Sequence, residues 1–443
     1  MSRNLAAKGA AVIMLAGAAL GFSATAFAQS FTITNARLID GTGGAEQANV
    51  TITVRDGRVA DVGTGAAPAG METIDAAGAY VTPGIVAAAS QLGIVEVNGV
   101  APTNDVSASR SPYSASLDVA DALNPASAAI GVARIEGVTR AAVQPGAGGD
   151  LFGGIGRPIT LAADRADMTV PGTAFQVIQL GETGAARAGG SRAAAFARLD
   201  DALAEARAFS RNPDGYSFGR SEDSLLTRAD AEALVEVLEG RTAALFQVDR
   251  ASDIRRVLAL RSDYPQMKMI LVGVAEGWLV ADELAQAGVP VIAVPMQNLP
   301  SRFETLGATQ SNIGRMVAAG VKVAVADVGS PSISPQLPQQ AGQLVAQARI
   351  PGATGLTHEQ AIAAITSVPA DMFGMRGAGR ITPGSLADIV IWSGDPLETA
   401  SAPTAIWIEG VEQPMDSRQS RLADRYNPTK APTGLPRQYS RSR

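Results

Sequence analysis

The chain contains one histidine, His358, and no cysteine, so the two side chains that give protein zinc sites most of their affinity are nearly absent. His358 follows Thr357, and Gln360 lies three residues after that threonine, which is the spacing of a capping box. The imidazole is therefore expected in the first turn of a helix as an exposed structural group. A serine, histidine and acid triad would have to recruit this one residue. Two glycine-rich segments are the other patterns that could do chemistry. Pro145-Gly-Ala-Gly-Gly-Asp-Leu-Phe-Gly-Gly154 lacks the lysine and hydroxyl that complete a phosphate-binding loop. Gly189-Gly-Ser-Arg192 precedes an alanine-rich helix; Ser191 as its N-cap accounts for the pattern, and an anion at the helix start fits the same residues.

The elements that must position any site change character along the chain. Phe31 to Asp40 and Val50 to Val62 alternate as antiparallel strands do, with Asp56-Gly57 as a turn. After Pro83-Gly84, apolar strand candidates alternate with amphipathic helices. Ala243 to Val248 is followed by Ala251 to Tyr264, Met267 to Val274 by Gly277 to Ala287, and Val289 to Val294 then precedes a helix over Ser311 to Ala319 and a strand over Val321 to Ala326. Strands joined in this way should run parallel with right-handed crossovers, and a barrel satisfies that. Strand-like runs return at Ala387 to Trp392 and Ala405 to Glu409 and need partners. The fold class read from this order is α/β: a TIM (β/α)8-type barrel over 83–385, with a small composite β-sandwich built from 29–82 and 386–417.

Both ends of the chain carry their own signals. Arg3 and Lys8 precede an apolar run from Ala10 to Phe22, and Ala26-Phe27-Ala28 offers a cleavage site, so residues 1–28 read as a signal peptide with the mature chain beginning at Gln29, an uncleaved membrane anchor being the alternative. A periplasmic or secreted destination follows, and the lack of cysteine fits a chain without a disulfide framework. Removing Arg3 and Lys8 takes the formal net charge from −6 to −8, which argues against general nucleic-acid binding. No segment after the signal is apolar for long enough to span a bilayer. Residues 418–443 hold seven basic residues and one acid, with prolines at 428, 432 and 436, and read as a loosely ordered basic tail.

Three stretches, in order, resemble the amidohydrolase superfamily, in particular its imidazolonepropionase-like branch. The first is Ile33-Thr-Asn-Ala-Arg-Leu-Ile-Asp-Gly-Thr-Gly43, with Arg55-Asp-Gly-Arg-Val59, Ile74-Asp-Ala-Ala-Gly78 and Val81-Thr-Pro-Gly84. The second runs from Arg250-Ala-Ser-Asp-Ile254 through Gly273-Val-Ala-Glu-Gly-Trp278 to Val289-Pro-Val-Ile292. The third is Gly355-Leu-Thr-His-Glu-Gln-Ala361 with Gly379-Arg-Ile-Thr-Pro-Gly-Ser-Leu-Ala-Asp388. The resemblance implies hydrolysis of non-peptide C–N bonds, such as those of cyclic amides, at the C-terminal mouth of the barrel. Fold alone does not settle chemistry, however.

The resemblance also implies one or two divalent metals, beginning with His-x-His just after the Pro-Gly that ends the first sandwich segment. Those positions are Ala89 and Gln91 here. The later histidine positions fall in Phe246-Gln-Val-Asp-Arg250 and Leu271-Val-Gly-Val-Ala275, which contain none. The aspartate that ends the eighth strand is matched within about one position by Asp327. The candidate catalytic residues are then Asp327, Glu276 and Asp249, and the candidate substrate-binding residues are Gln91, Gln247 and Arg250. Glu96 is a further polar group expected at the mouth. No metal ligand set and no cofactor are expected: zinc is disfavoured, and an oxygen-rich site would suit only weak magnesium or calcium binding. A structural reading of the same residues has Asp249 pairing with Arg250, Glu276 capping a helix and Asp327 capping a loop. The glycine-rich loop is expected to lie flexibly over the mouth, with Phe152 and Arg157 reaching a small-molecule ligand. A ligand-binding or envelope scaffold protein on the same fold is the alternative function.

Overall fold

The structure, a computed structural model, describes residues 30–97, 99–213, 225–326 and 336–426. The expected signal peptide and the tail beyond 426 lie outside the described residues. The N-terminal segment folds as β1 (Phe31–Leu38), β2 (Gln47–Arg55), β3 (Arg58–Gly63), β4 (Glu72–Asp75) and β5 (Tyr80–Pro83). The barrel strands are β6 (Ile85–Ser90), β7 (Val138–Val143), β8 (Phe152–Thr160), β9 (Phe175–Gln179), β10 (Ala243–Val248), β11 (Met269–Gly273), β12 (Val291–Ala293) and β13 (Val323–Val325). The chain then returns as β14 (Ile389–Trp392), β15 (Pro403–Ile408) and β16 (Val411–Glu412).

β14, β15 and β16 join the N-terminal strands in one sheet, in the order β16-β15-β14-β5-β1-β2-β3, with β4 also paired to β1. The composite domain read from the sequence is thus present. Its core comes from alternate residues such as Ile33, Ile52, Ile389 and Trp407, all buried. Besides its antiparallel pairing with β2, β1 has two parallel partners: Phe31 to Thr34 pair with β4, and Arg37 and Leu38 with β5. The change of partner falls beside Asn35, whose φ of 53° is in the left-handed region that asparagine tolerates, and whose amide donates to Asp75 Oδ1 at 2.8 Å.

β6 to β13 form a second eight-stranded sheet that is nearly closed. Between its first and last strands, Val86 N donates to the Ile365 carbonyl at 2.9 Å. The expectation of all-parallel strands fails at one place. β8 is antiparallel to both β7 and β9, because β7 and β8 are joined by a short hairpin connection with no crossover helix. Inward positions such as Val86, Ala142, Val177, Leu245 and Val272 fill the barrel. Phe373, which follows helix Ser367–Met372, packs on Phe175 with ring centroids 4.8 Å apart. Gly84, at the joint between sheet and barrel, has no room for a side chain: an added Cβ would sit 2.1 Å from Thr139 Oγ1.

A buried ion network ties the two sheets together. Arg140 of β7 donates through Nε to Asp388 Oδ2 at 2.6 Å and through Nη2 to Glu409 Oε1 at 2.8 Å, and Asp388 Oδ1 accepts from Glu409 N at 2.8 Å. Arg140 and Asp388 are 3% and 1% exposed.

The first part of the segment read from the sequence as a loosely ordered basic tail is helical. Arg418–Tyr426 is a helix whose start is capped by Ser417, with Ser420 N donating to Ser417 Oγ at 3.1 Å and Ser417 N to Ser420 Oγ at 2.8 Å. Local capping compensates there for a weak apolar pattern. Among the described residues no helix is long and apolar enough to cross a membrane.

Candidate active site at the barrel mouth

Alternation along the barrel strands fixes what the mouth can offer. Two residues beyond the inward Ala142, Val177 and Leu245 stand Gln144, Gln179 and Gln247, so carboxamides top three strands. Gln144 is 4% exposed, and its Oε1 has no protein partner among the described residues. Gln179 and Gln247 line a cavity of about 290 Å³ together with Asp249, Gly273, Arg302 and Glu304.

Asp249 follows β10 and is 8% exposed. Its Oδ1 accepts from Ala275 N at 3.2 Å and its Oδ2 from Arg302 Nη2 at 2.7 Å. Gly273, at φ 90°, lets the carboxylate lie against the end of β11, since a Cβ there would meet Asp249 Oδ1 at 2.6 Å. Burial raises the Asp249 pKa to about 6, even though the backbone N–H of Ala275 and the charge of Arg302 oppose it. The negative charges of Glu304 and Glu276 add to the rise, and Arg302 also faces Glu304 Oε1 at 3.2 Å.

The neighbouring charges form a closed set. Glu304, 3% exposed, accepts from Glu182 N at 2.6 Å and from Arg192 Nη2 at 3.3 Å, while Glu182 Oε1 accepts from Glu304 N at 3.0 Å. Gly181 permits that approach, because a Cβ on it would lie 2.3 Å from Glu304 Oε2. Arg192 also reaches Asp253 at 3.2 Å, and Arg250 reaches Asp253 at 2.7 Å.

The sequence candidates separate on this geometry. Asp249 and Gln247 share the mouth cavity. Arg250 pairs with Asp253 and not with Asp249, whose partner Arg302 lies far away in sequence and nearby only in the fold. Glu276 accepts from Ala251 N, the first residue of helix Ala251–Asp263, at 3.0 Å and from Gly307 N at 3.1 Å, so it holds a helix start and a loop. Gln91 follows β6, half-buried, and does not line that cavity. Glu96 accepts from Asn124 Nδ2 at 2.7 Å. Asp327 lies outside the described residues.

The two loop residues expected to reach a ligand do otherwise. Phe152 is 2% exposed in the core, and Arg157 is held by Asp118. Ser191 caps helix Arg192–Arg211 by accepting from Ala194 N at 3.1 Å. His358 has its capping box, but it is half-buried and its Nε2 meets Asp395 at 2.8 Å, which raises its pKa. Gln179, Gln144, Arg302 and Glu304 were missed: the first two top strands whose apolar runs are short, and the last two stand in a loop with no periodic pattern.

The strand ends where the resemblance implies metal ligands hold Ala89, Gln91, Gln247 and Gly273. Two of these lack a donor atom, and neutral carboxamides are poor ligands for zinc. The carboxylates nearby are engaged by guanidinium or backbone N–H groups, and among the described residues no three His, Cys, Asp or Glu side chains gather as a metal site would require. Among the described residues, the donors at these strand ends do not fit the metal that the resemblance implies.

The sequence model of the amidohydrolase family matches residues 163–411, more than half of the chain. The chain belongs to this family. It is 26% identical over 373 residues to amidohydrolase tasK of Hapsidospora irregularis, an alignment covering 76% of this chain and 37% of that protein. The chain thus spans little more than a third of the curated relative it matches. Among solved structures it is similar to an amidohydrolase from Thermotoga maritima, with a TM-score of 0.73 and 22% identity over 86% of this chain and 99% of that one. It is also similar to N-isopropylammelide isopropylaminohydrolase from Burkholderia multivorans, with a TM-score of 0.51 and 15% identity, covering 87% of this chain and 98% of that one. These structural likenesses establish a shared fold for this amidohydrolase-family chain.

Proposed function

We propose that this chain is an exported amidohydrolase-family protein whose barrel mouth binds a small polar molecule and hydrolyses a C–N bond outside peptides, of the amide or lactam kind, without a histidine-held metal. The observation that carries this reading is Asp249: a buried carboxyl with a pKa of about 6, lining a 290 Å³ cavity beside Arg302 and two glutamine amides. A carboxyl that titrates near neutrality can take a proton from an attacking water as the tetrahedral centre forms, then return it to the nitrogen as the C–N bond breaks. Arg302 offers fixed positive charge where the carbonyl oxygen gains negative charge. Gln179 and Gln247 supply donors and acceptors for an amide-like ligand. Binding without turnover is a second reading, favoured by how fully Glu304, Glu182 and Asp253 are tied up by arginines.

One preparation tests both. The exported protein, purified without tag or chelator, should have the intact mass of a chain starting at Gln29 and hold well under one zinc per chain. It should open simple lactams or non-peptide amides, and Asp249→Asn should lower kcat by about 10²-fold or more. Full activity in that variant would remove Asp249 from the chemistry, and ligand binding with no turnover by either form would favour the second reading. One tightly held zinc per chain would overturn the metal-free account. A mass retaining residues 1–28 would overturn cleavage.

A further inference from the structure

The opposite end of the barrel carries a feature that hydrolysis at the mouth does not use. A cavity of about 800 Å³ opens at the N-terminal ends of β10 to β13, with Arg261, Lys268 and Lys322 at its edge and Ile270, Val368 and Met372 among its apolar lining. A second cavity of about 680 Å³ lies between barrel and composite sheet, lined by Arg58, Arg140, Arg165 and Arg376. Thr173 borders both, so the two adjoin.

The charge balance is the reverse of the molecule's. Seven cationic side chains line the two cavities, against Asp371 and Glu409. Asp371 is paired with Arg380, and Glu409 with Arg140 and Arg165. The chain as a whole carries a net charge of −6. It also has only four lysines, Lys8, Lys268, Lys322 and Lys430, and the two within the described residues both stand on this one cavity. Each immediately precedes a barrel strand, so its backbone is fixed while its side chain stays exposed. Among the described residues, no carboxylate pairs with Lys268, Lys322 or Arg376. Unneutralised cations gathered on concave surface raise the local concentration of anions. A concave, partly apolar pair of chambers suits a molecule that enters; a flat anionic surface would touch only the rim.

The geometry points to a binding site on the N-terminal face of the barrel for a small organic polyanion, one carrying at least two carboxylate or phosphate groups, spanning the two chambers past Thr173. This site is separate from the mouth and does not depend on its chemistry. Lys268 and Lys322 hold one end of the anion as point charges, Arg376 holds the other, and the apolar lining accommodates the carbon skeleton.

Sodium tripolyphosphate is a suitable probe, titrated calorimetrically into the full mature chain at low and at high salt. Binding should be saturable and should weaken as salt rises. The double variant Lys268→Gln/Lys322→Gln and the single variant Arg376→Gln should each weaken binding by about tenfold. Arg302→Gln, at the mouth, should leave it unchanged. No binding to the wild-type chain would overturn the proposal, as would undiminished binding in the cavity variants or a loss confined to Arg302→Gln. The three cavity side chains are exposed and make no ion pair, so unchanged thermal unfolding is expected in these variants.

Discussion

Replacing Arg140 by alanine should cost about 3–5 kcal/mol of folding stability, among the larger losses a single substitution can give in this chain. The charge on Asp388 is 1% exposed, and Arg140 is its cationic partner, at 2.6 Å. Glu409, which shares the guanidinium, would keep Arg165 but lose its inner contact. Removing the cation leaves a carboxylate buried with only the Glu409 backbone N–H to stabilise it, and that is the costly half of breaking a buried pair. The double variant Arg140→Met/Asp388→Asn separates this from simple loss of packing. An asparagine can still accept from Glu409 N through its oxygen, while methionine fills much of the arginine's volume, so more than half of the lost stability should return. Denaturant unfolding curves measured on all three proteins decide it. A loss under about 1 kcal/mol for Arg140→Ala would show that water or rearrangement solvates Asp388 on demand.

Asp388 itself was visible in the sequence as the end of a family-like motif, yet nothing local announced its partner. Arg140 is 248 positions away in the chain, and an arginine at the second position after Val138 reads as an ordinary break in an apolar run. The same contrast holds across the fold. Ala243 to Val248 was legible to the residue because it is a short apolar run followed at once by an amphipathic helix. β7, β8 and β9 were not, because β8 is glycine-interrupted and returns through a hairpin, so the alternation of strand and helix that reveals the rest of the barrel is suspended there. The capping box at Thr357 could be read because both of its partners lie within four residues. The paired serines at 417 and 420 are an equally local signal, outweighed in the reading by the charge and prolines downstream.

At the mouth, the residue types that ended strands were readable and their electrostatic partners were not. Asp249 and Gln247 could be placed because the strand before them was. Which cation faces Asp249 depends on how the segment around Arg302 folds back over β10 and β11. Sequence proximity favoured Arg250, but that side chain follows the helix it precedes and meets Asp253 one turn on. Glu276 shows the converse: its place after a strand suggested chemistry, while its two backbone partners, Ala251 N and Gly307 N, assign it to holding loops together.

Asp249→Asn should abolish a component of the pH dependence of stability worth roughly 3 kcal/mol. In the unfolded chain this carboxyl titrates near the model value of 3.8, and in the folded protein burial lifts it to about 6. Between those values the folded state holds a proton that the unfolded state has released. Stability therefore falls as pH rises through this window, and the full loss is present by about pH 7. The other shifted groups run both ways. His358, raised by Asp395, also loses its contribution as pH rises, whereas Asp150 and Asp395, which are lowered, lose theirs as pH falls. All of these are common to both proteins and cancel when the variant's stability curve is subtracted from the wild type's. The absolute stability of Asp249→Asn is a poorer readout, since an asparagine can accept from Ala275 N only by turning its amide N–H groups toward Arg302. The difference curve avoids that offset, because an unfavourable contact that does not titrate shifts it without changing its slope. The expected result is a difference between wild type and variant that declines by about 3 kcal/mol from about pH 3 to about pH 7. A flat difference would mean that Arg302 neutralises Asp249 fully, leaving it an ordinary ion-paired carboxylate with no proton to give or take near neutrality. The same flat result would remove the ground for its role as the acid and base at the barrel mouth.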